Sequence, residues 1–180
     1  MIAVNLAKSV IPLSEGYKYS KVCVFISHKK EDQEAAEAIG NYLLTEVKVN
    51  IYLDTHDADL REAVSVENDN AIVQLIQKGL NRSTHLLCLV SDQTRLSWWV
   101  PYEIGIADIS STALGKMKIS TLKLKGTEDI PSFLKIHEVL LSSEDFKQYA
   151  DNLSNYDGCR TLNEHLIIKN SVSNLKRFLD

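Results

Sequence analysis

At 180 residues, 44% of them hydrophobic and 24% charged, the chain can bury one sizeable core and is too short to build two. A formal net charge of −4 with no basic run excludes the electrostatic footprint of a nucleic-acid-binding protein. Met1 to Leu13 is mildly apolar but broken by Asn5, Lys8, Ser9 and Pro12, so neither a signal peptide nor a membrane span is expected, and the expected setting is cytoplasmic.

Val22 to Ile26, closed by Ser27-His28, predicts a first strand. Glu31, Asp32 and Glu34 suit the positive first turn of the helix that follows, whose apolar face of Ala35, Ala36, Ile39, Tyr42 and Leu43 runs to about residue 46. Val49 to Leu53 predicts the second strand, ending at Asp54. From Asp54 to Asp69, six acids face the single Arg61 without sustained periodicity. That stretch is expected to be a long loop, either a lid or binding loop or a merely solvated acidic connection. Ile72, Leu75, Ile76, Gly79 and Leu80 mark a helix capped by Asp69 or Asn70. His85 to Val90 is a nearly unbroken apolar run, as a central strand covered on both faces requires. The helix carrying Glu103 comes next, with Pro101 confined to its first turn or just before it. Met117 to Leu124 and His137 to Leu141 predict the fourth and fifth strands, joined irregularly through Gly126 to Pro131. Glu144 to Leu153 reads as a helix, Asn155 to Arg160 as a polar break and Leu175 to Leu179 as a short terminal helix.

Strands alternating with helices imply an α/β fold: a flavodoxin-like, doubly wound, five-stranded parallel sheet with helices on both faces. Residues 20–142 form the expected domain, with residues 1–19 as an N-terminal extension and 143–180 as a C-terminal helical extension. Ligands of such sheets bind beyond the carboxyl ends of the strands. In a 2-1-3 order, Ser27-His28, Asp54 with its acidic loop, and Ser91 to Glu103 therefore share one crevice. No glycine-rich phosphate loop and no Gly-x-Ser-x-Gly elbow accompanies these strands, which disfavours the usual dinucleotide, phosphoryl-transfer and hydrolase folds. Three widely spaced cysteines, Cys23, Cys88 and Cys159, read as buried thiols, and the five histidines lack metal-ligand spacing, so no metal is expected.

Within the third crossover, Ser97-Trp98-Trp99-Val100-Pro101-Tyr102-Glu103 packs three aromatic rings around one acid. Two readings stand. The segment is a binding wall with one reactive carboxylate, or the tryptophans are core or interface anchors and Glu103 complements a helix N-terminus. His28 is likewise either a ligand or a cap on the turn after the first strand.

Val22-Cys23-Val24-Phe25-Ile26-Ser27-His28 resembles the first box of Toll/interleukin-1 receptor (TIR) domains, and Ser97 to Glu103 resembles the segment carrying that family's catalytic glutamate, with Trp99 four positions before the acid. Gly79-Leu80-Asn81-Arg82-Ser83 is similar to the family's helix end before its third strand. The resemblance covers about residues 20–142 and is greatest to the stand-alone TIR-like proteins of bacterial Thoeris antiphage systems. Two features depart from the pattern: Val100 stands where many TIR domains carry cysteine, and the loop after the second strand lacks their proline or glycine.

The resemblance implies cleavage of the nicotinamide glycosidic bond of NAD to an ADP-ribose-derived, cyclic or modified messenger that acts on a separate effector protein. It makes NAD a substrate and calls for no cofactor. Glu103 is the implied catalytic residue, partly exposed at the crevice, where a carboxylate can stabilise the oxocarbenium-like charge that develops as neutral nicotinamide leaves. Phe25, Ser27, His28, Asp54, Ser91, Arg95, Trp99 and Tyr102 are the expected substrate-binding residues, with Trp98 as apt to pack inward. Arg61 and the nearby Arg95 offer little positive charge to two phosphates, so self-association or loop rearrangement is expected to complete the site. Two other functions stay open: a non-catalytic TIR scaffold acting by self-association, and a nucleoside deoxyribosyltransferase-like enzyme.

Overall fold

The computed structural model describes residues 3–8, 21–53, 57–112, 115–156 and 172–180. Five parallel strands form the central sheet: β1 (Cys23–Ser27), β2 (Asn50–Tyr52), β3 (His85–Val90), β6 (Lys118–Lys123) and β7 (Glu138–Leu140), in the order β2-β1-β3-β6-β7. This is the doubly wound order expected of the alternating pattern. A small antiparallel pair, β4 (Ser111–Thr112) and β5 (Gly115–Lys116), precedes β6 and was not legible in the periodicity.

Side-chain alternation divides the core in two. Val24 and Ile26 of β1 with Leu87 and Leu89 of β3 face α1 (Gln33–Tyr42) and α5 (Ser143–Tyr156). Cys23 and Phe25 with Leu86, Cys88 and Val90 face α3 (Asp69–Asn81) and α4 (Trp99–Ile109). Helix α1 continues as a π-helical turn, Leu43–Val47, that buries Leu43 and Val47 and ends at Lys48 in the left-handed region (φ 63°). Gly79 lets α3 lie close on the sheet: a Cβ there would come within 2.6 Å of Tyr52 and 2.9 Å of Phe25.

The acidic stretch after β2 is not a continuous loop. Ala58–Ser65 forms helix α2, nucleated by the buried Asp57, whose carboxylate accepts from Asp59 N–H at 3.0 Å, Leu60 N–H at 3.2 Å and Tyr52 Oη at 2.6 Å. The helix turns only Leu60 and Ala63 inward, too few apolar positions to register as a period. Asp54, the residue that closes the predicted second strand, lies outside the described residues, as does Cys159.

The ends pack onto the same body. Residues 3–8 run alongside β2, with Leu6 N–H donating to Ile51 O at 2.8 Å. The 3-10 turn Val172–Leu175 and helix α6 (Lys176–Leu179) bury Val172, Leu175 and Leu179 against α1 and α5. The Asp180 carboxylate accepts from Ser143 N–H at 2.9 Å and Ser143 Oγ at 2.5 Å, closing the start of α5. Among the described residues no helix is long and apolar enough to cross a membrane.

Candidate active site

Glu103 is 5% exposed, so the expectation of a partly exposed acid is corrected. The reason is helical spacing: Val100, Glu103, Ile104 and Ala107 form the inward stripe of α4. Ser27, the last residue of β1 and 1% exposed, points to that same face, and its Oγ donates to Glu103 Oε2 at 2.5 Å. A hydroxyl donated to a carboxylate favours its ionised form and holds it in one direction. Beside Ser27 in register is Cys88 on β3. Burial, and then the negative charge of Glu103, push the Cys88 thiol above its ordinary range, with the Ser27 hydroxyl opposing them. Cys88 is thus a neutral neighbour of the carboxylate.

A second polar link closes the same edge of the sheet. Ser91, the first residue after β3, donates from Oγ to Asp32 Oδ2 at 2.7 Å. Asp32 keeps its expected place in the first turn after β1, and its side chain makes no capping bond to α1. Burial raises its carboxyl above the usual range, while the Ser91 hydroxyl and the nearby His28 oppose the rise. His28 Nδ1 lies 3.3 Å from Ile26 O, and since a carbonyl only accepts, that nitrogen donates. Asp32 and Cys88 are the site members that sequence reasoning missed. Position gave the available signal: Asp32 follows the carboxyl end of β1 by five residues, and Cys88 pairs with Ser27.

The aromatic residues separate into different roles. Phe25 is 1% exposed and stacks on Tyr52, centroids 5.5 Å apart; it belongs to the core and offers no face to a ligand, contrary to its expected binding role. Trp99 and Tyr102 are half-buried and meet edge to face, centroids 6.1 Å apart, while Gln77 Nε2 on α3 donates to Tyr102 Oη at 3.0 Å. Trp98 does not pack inward: it is 90% exposed. Arg95 is exposed within the 3-10 turn Thr94–Leu96, its Nε donating to Asp92 O at 3.4 Å.

The structure therefore brings Ser27 and Glu103 into direct contact, with Cys88 beside them. It links Ser91 to the loop after β1 through Asp32, and keeps Trp99 and Tyr102 on the helix that carries the acid. Among the described residues no three His, Cys, Asp or Glu side chains are grouped so as to hold a metal. The family model for the TIR domain matches residues 24–155. No curated protein matches the chain.

Proposed function

Because this chain belongs to the TIR domain family, we propose that it cleaves the nicotinamide glycosidic bond of NAD and releases an ADP-ribose-derived, cyclic messenger for a separate effector, as in antiphage defence of the Thoeris kind. The observation that carries this reading is the Ser27–Glu103 pair: one buried carboxylate, oriented by a hydroxyl, at the carboxyl edge of a parallel sheet. TIR domains include enzymes of this type and scaffolds, and a held anion at a ligand edge is what the enzymatic reading requires.

Nicotinamide bound through its ring nitrogen is a cationic leaving group that departs neutral, so no general acid is needed. The demand falls on the positive charge developing at the ribose. A fixed carboxylate meets that demand through preorganised electrostatics, worth roughly 10²–10³ in rate for a single such group. With Glu103 5% exposed, substrate reaches it after movement of the surrounding loops or rearrangement on assembly, a gating step common in enzymes that exclude water. Trp99 and Tyr102 are the proposed binding surface.

Trp98, Leu96 and Ile109 favour a second reading. These three large apolar side chains at or next to α4 are exposed, a pattern that suits self-association. Both readings are tested by incubating concentrated wild-type protein and Glu103→Gln with NAD and identifying products by mass spectrometry. Nicotinamide release by wild type alone supports the enzyme. Equal inactivity, with concentration-dependent oligomers lost in Trp98→Ala, supports the scaffold.

A further inference from the structure

A cavity of about 720 Å³ lies at the opposite edge of the sheet from Glu103, where β3, β6 and β7 begin. Along β3 the two edges are separated by five residue steps of about 3.3 Å each, so this space is distinct from the candidate active site. The sheet side presents His85, Lys118, Ser120 and Glu138, and α5 lays Tyr149, Asn152 and Asn155 across it. Its volume is within the range of small-molecule sites, which run from about 300 to 1,000 Å³.

Two groups in its wall are chemically incomplete. Tyr149 is 5% exposed, held by the ring of Phe146 at 6.2 Å, and its hydroxyl is buried with no hydrogen-bond partner; His137 Nε2 is buried and unpartnered as well. Buried polar atoms nearly always find a partner, and an orphan one costs stability without return. Phenylalanine would fill the Tyr149 position more cheaply. Two such orphans in the wall of one cavity are explained together by a ligand that supplies both partners once α5 gives slightly.

We propose that this cavity is a second small-molecule site and that its ligand is an uncharged nitrogen heterocycle, a nucleobase or nucleoside. The charge balance points there. Among the described lining residues Lys118 is the one cation and Glu138 the one carboxylate, so a phosphate would meet as much repulsion as attraction. The other polar groups of the lining both donate and accept: the phenol of Tyr149, the imidazole of His137 and the amides of Asn152 and Asn155. His85 is neutral, since burial and the nearby Lys118 hold its imidazole down at about 4. Amide and imidazole edges match the mixed donor and acceptor edge of a base. Among the described residues the histidines and Glu138 do not come together as a metal-ligand set.

The test is an NMR titration of the full ¹⁵N-labelled chain with adenosine, guanosine, cytidine and uridine, and with adenosine 5′-monophosphate as the charged comparison. At least one nucleoside is expected to shift the amides of Lys118 to Ser120, Glu138 and Asn152 to Asn155 saturably. For that nucleoside, Tyr149→Phe should weaken affinity about fivefold or more, the loss of one hydrogen bond, while raising the melting temperature of the free protein. Asn152→Ala, at an exposed helix position, should weaken binding without altering the fold. The proposal fails if no probe gives saturable shifts, if shifts are confined to Ser27, Ser91 and Glu103, if the monophosphate binds more tightly than its nucleoside, or if both variants bind as wild type does.

Discussion

At the scale of single residues, the Ser27 hydroxyl does two things for Glu103: it favours the carboxylate over the acid and removes rotational freedom from a side chain that has little room. Ser27→Ala leaves a cavity the size of one oxygen and an anion lacking one charge-assisted donor. Such bonds contribute about 1.5–3 kcal/mol. NAD turnover should fall at least tenfold, mainly in kcat, with the acid limb of the pH–rate profile displaced to higher pH. A purely structural role for Ser27 would move the melting temperature and leave that limb in place, and Ser27→Thr, which keeps the hydroxyl, should recover part of the rate. His85 gives a second residue-level prediction. Its imidazole is held at about 4 in the folded chain against 6.5 for the free side chain. The unfolded chain therefore binds a proton that the folded chain refuses. Stability contributed by this group is present above pH 6.5 and declines as the pH falls to about 4, by an amount of order 3 kcal/mol. Urea unfolding at pH 7.5 and 4.5 should show a steeper acid loss in wild type than in His85→Gln. Equal losses would contradict the assignment.

Among the elements, α2 teaches most about what the sequence conceals. Asp57 was visible as one acid among six, and nothing in spacing distinguishes it from Asp59 or Glu62. Its role emerges only in three dimensions, where the carboxylate joins the β2 residue Tyr52 to the first turn of α2. The same limit applies to Glu103. The inward stripe of Val100, Glu103, Ile104 and Ala107 was not read from the sequence, and charge argued for the surface until Ser27 supplied a partner. By contrast the long apolar run of β3, the helix of Ile72 to Leu80 and the five strand positions followed directly from period and composition. Where burial is set by many apolar residues, the sequence is readable; where it is set by one polar pair distant in the chain, it is not. Gly79 lies between these cases. It occurs where α3 crosses Tyr52 and Phe25, and Gly79→Ala forces a methyl into that contact. Overpacking of this kind costs about 1–3 kcal/mol, and the melting temperature should drop accordingly while Gln77→Ala on the same helix, at an exposed position, changes it little.

For the whole molecule, the sheet order β2-β1-β3-β6-β7 is what converts scattered residues into two separate edges. The carboxyl edge gathers Ser27, Asp32, Ser91 and Glu103, and the amino edge gathers His85, His137 and Tyr149. The rule that ligands bind beyond the carboxyl ends of parallel strands made Ser27, Ser91 and Glu103 of the first group foreseeable from the sequence, though not Asp32. The second had no such rule, because His137 and Tyr149 are brought together by the packing of α5 on β6 and β7. We propose that activity depends on assembly, with the exposed Trp98 and Leu96, close in the chain to the buried acid, as the contact surface. The most direct test of the central claim measures nicotinamide release per protomer against protein concentration for wild type and Glu103→Gln, with circular dichroism confirming that both are folded. The account predicts a wild-type rate that rises steeply with concentration and a Glu103→Gln rate at least a hundredfold lower at every concentration. A folded Glu103→Gln protein that releases nicotinamide as fast as wild type, or a wild type that releases none at any concentration, would contradict it.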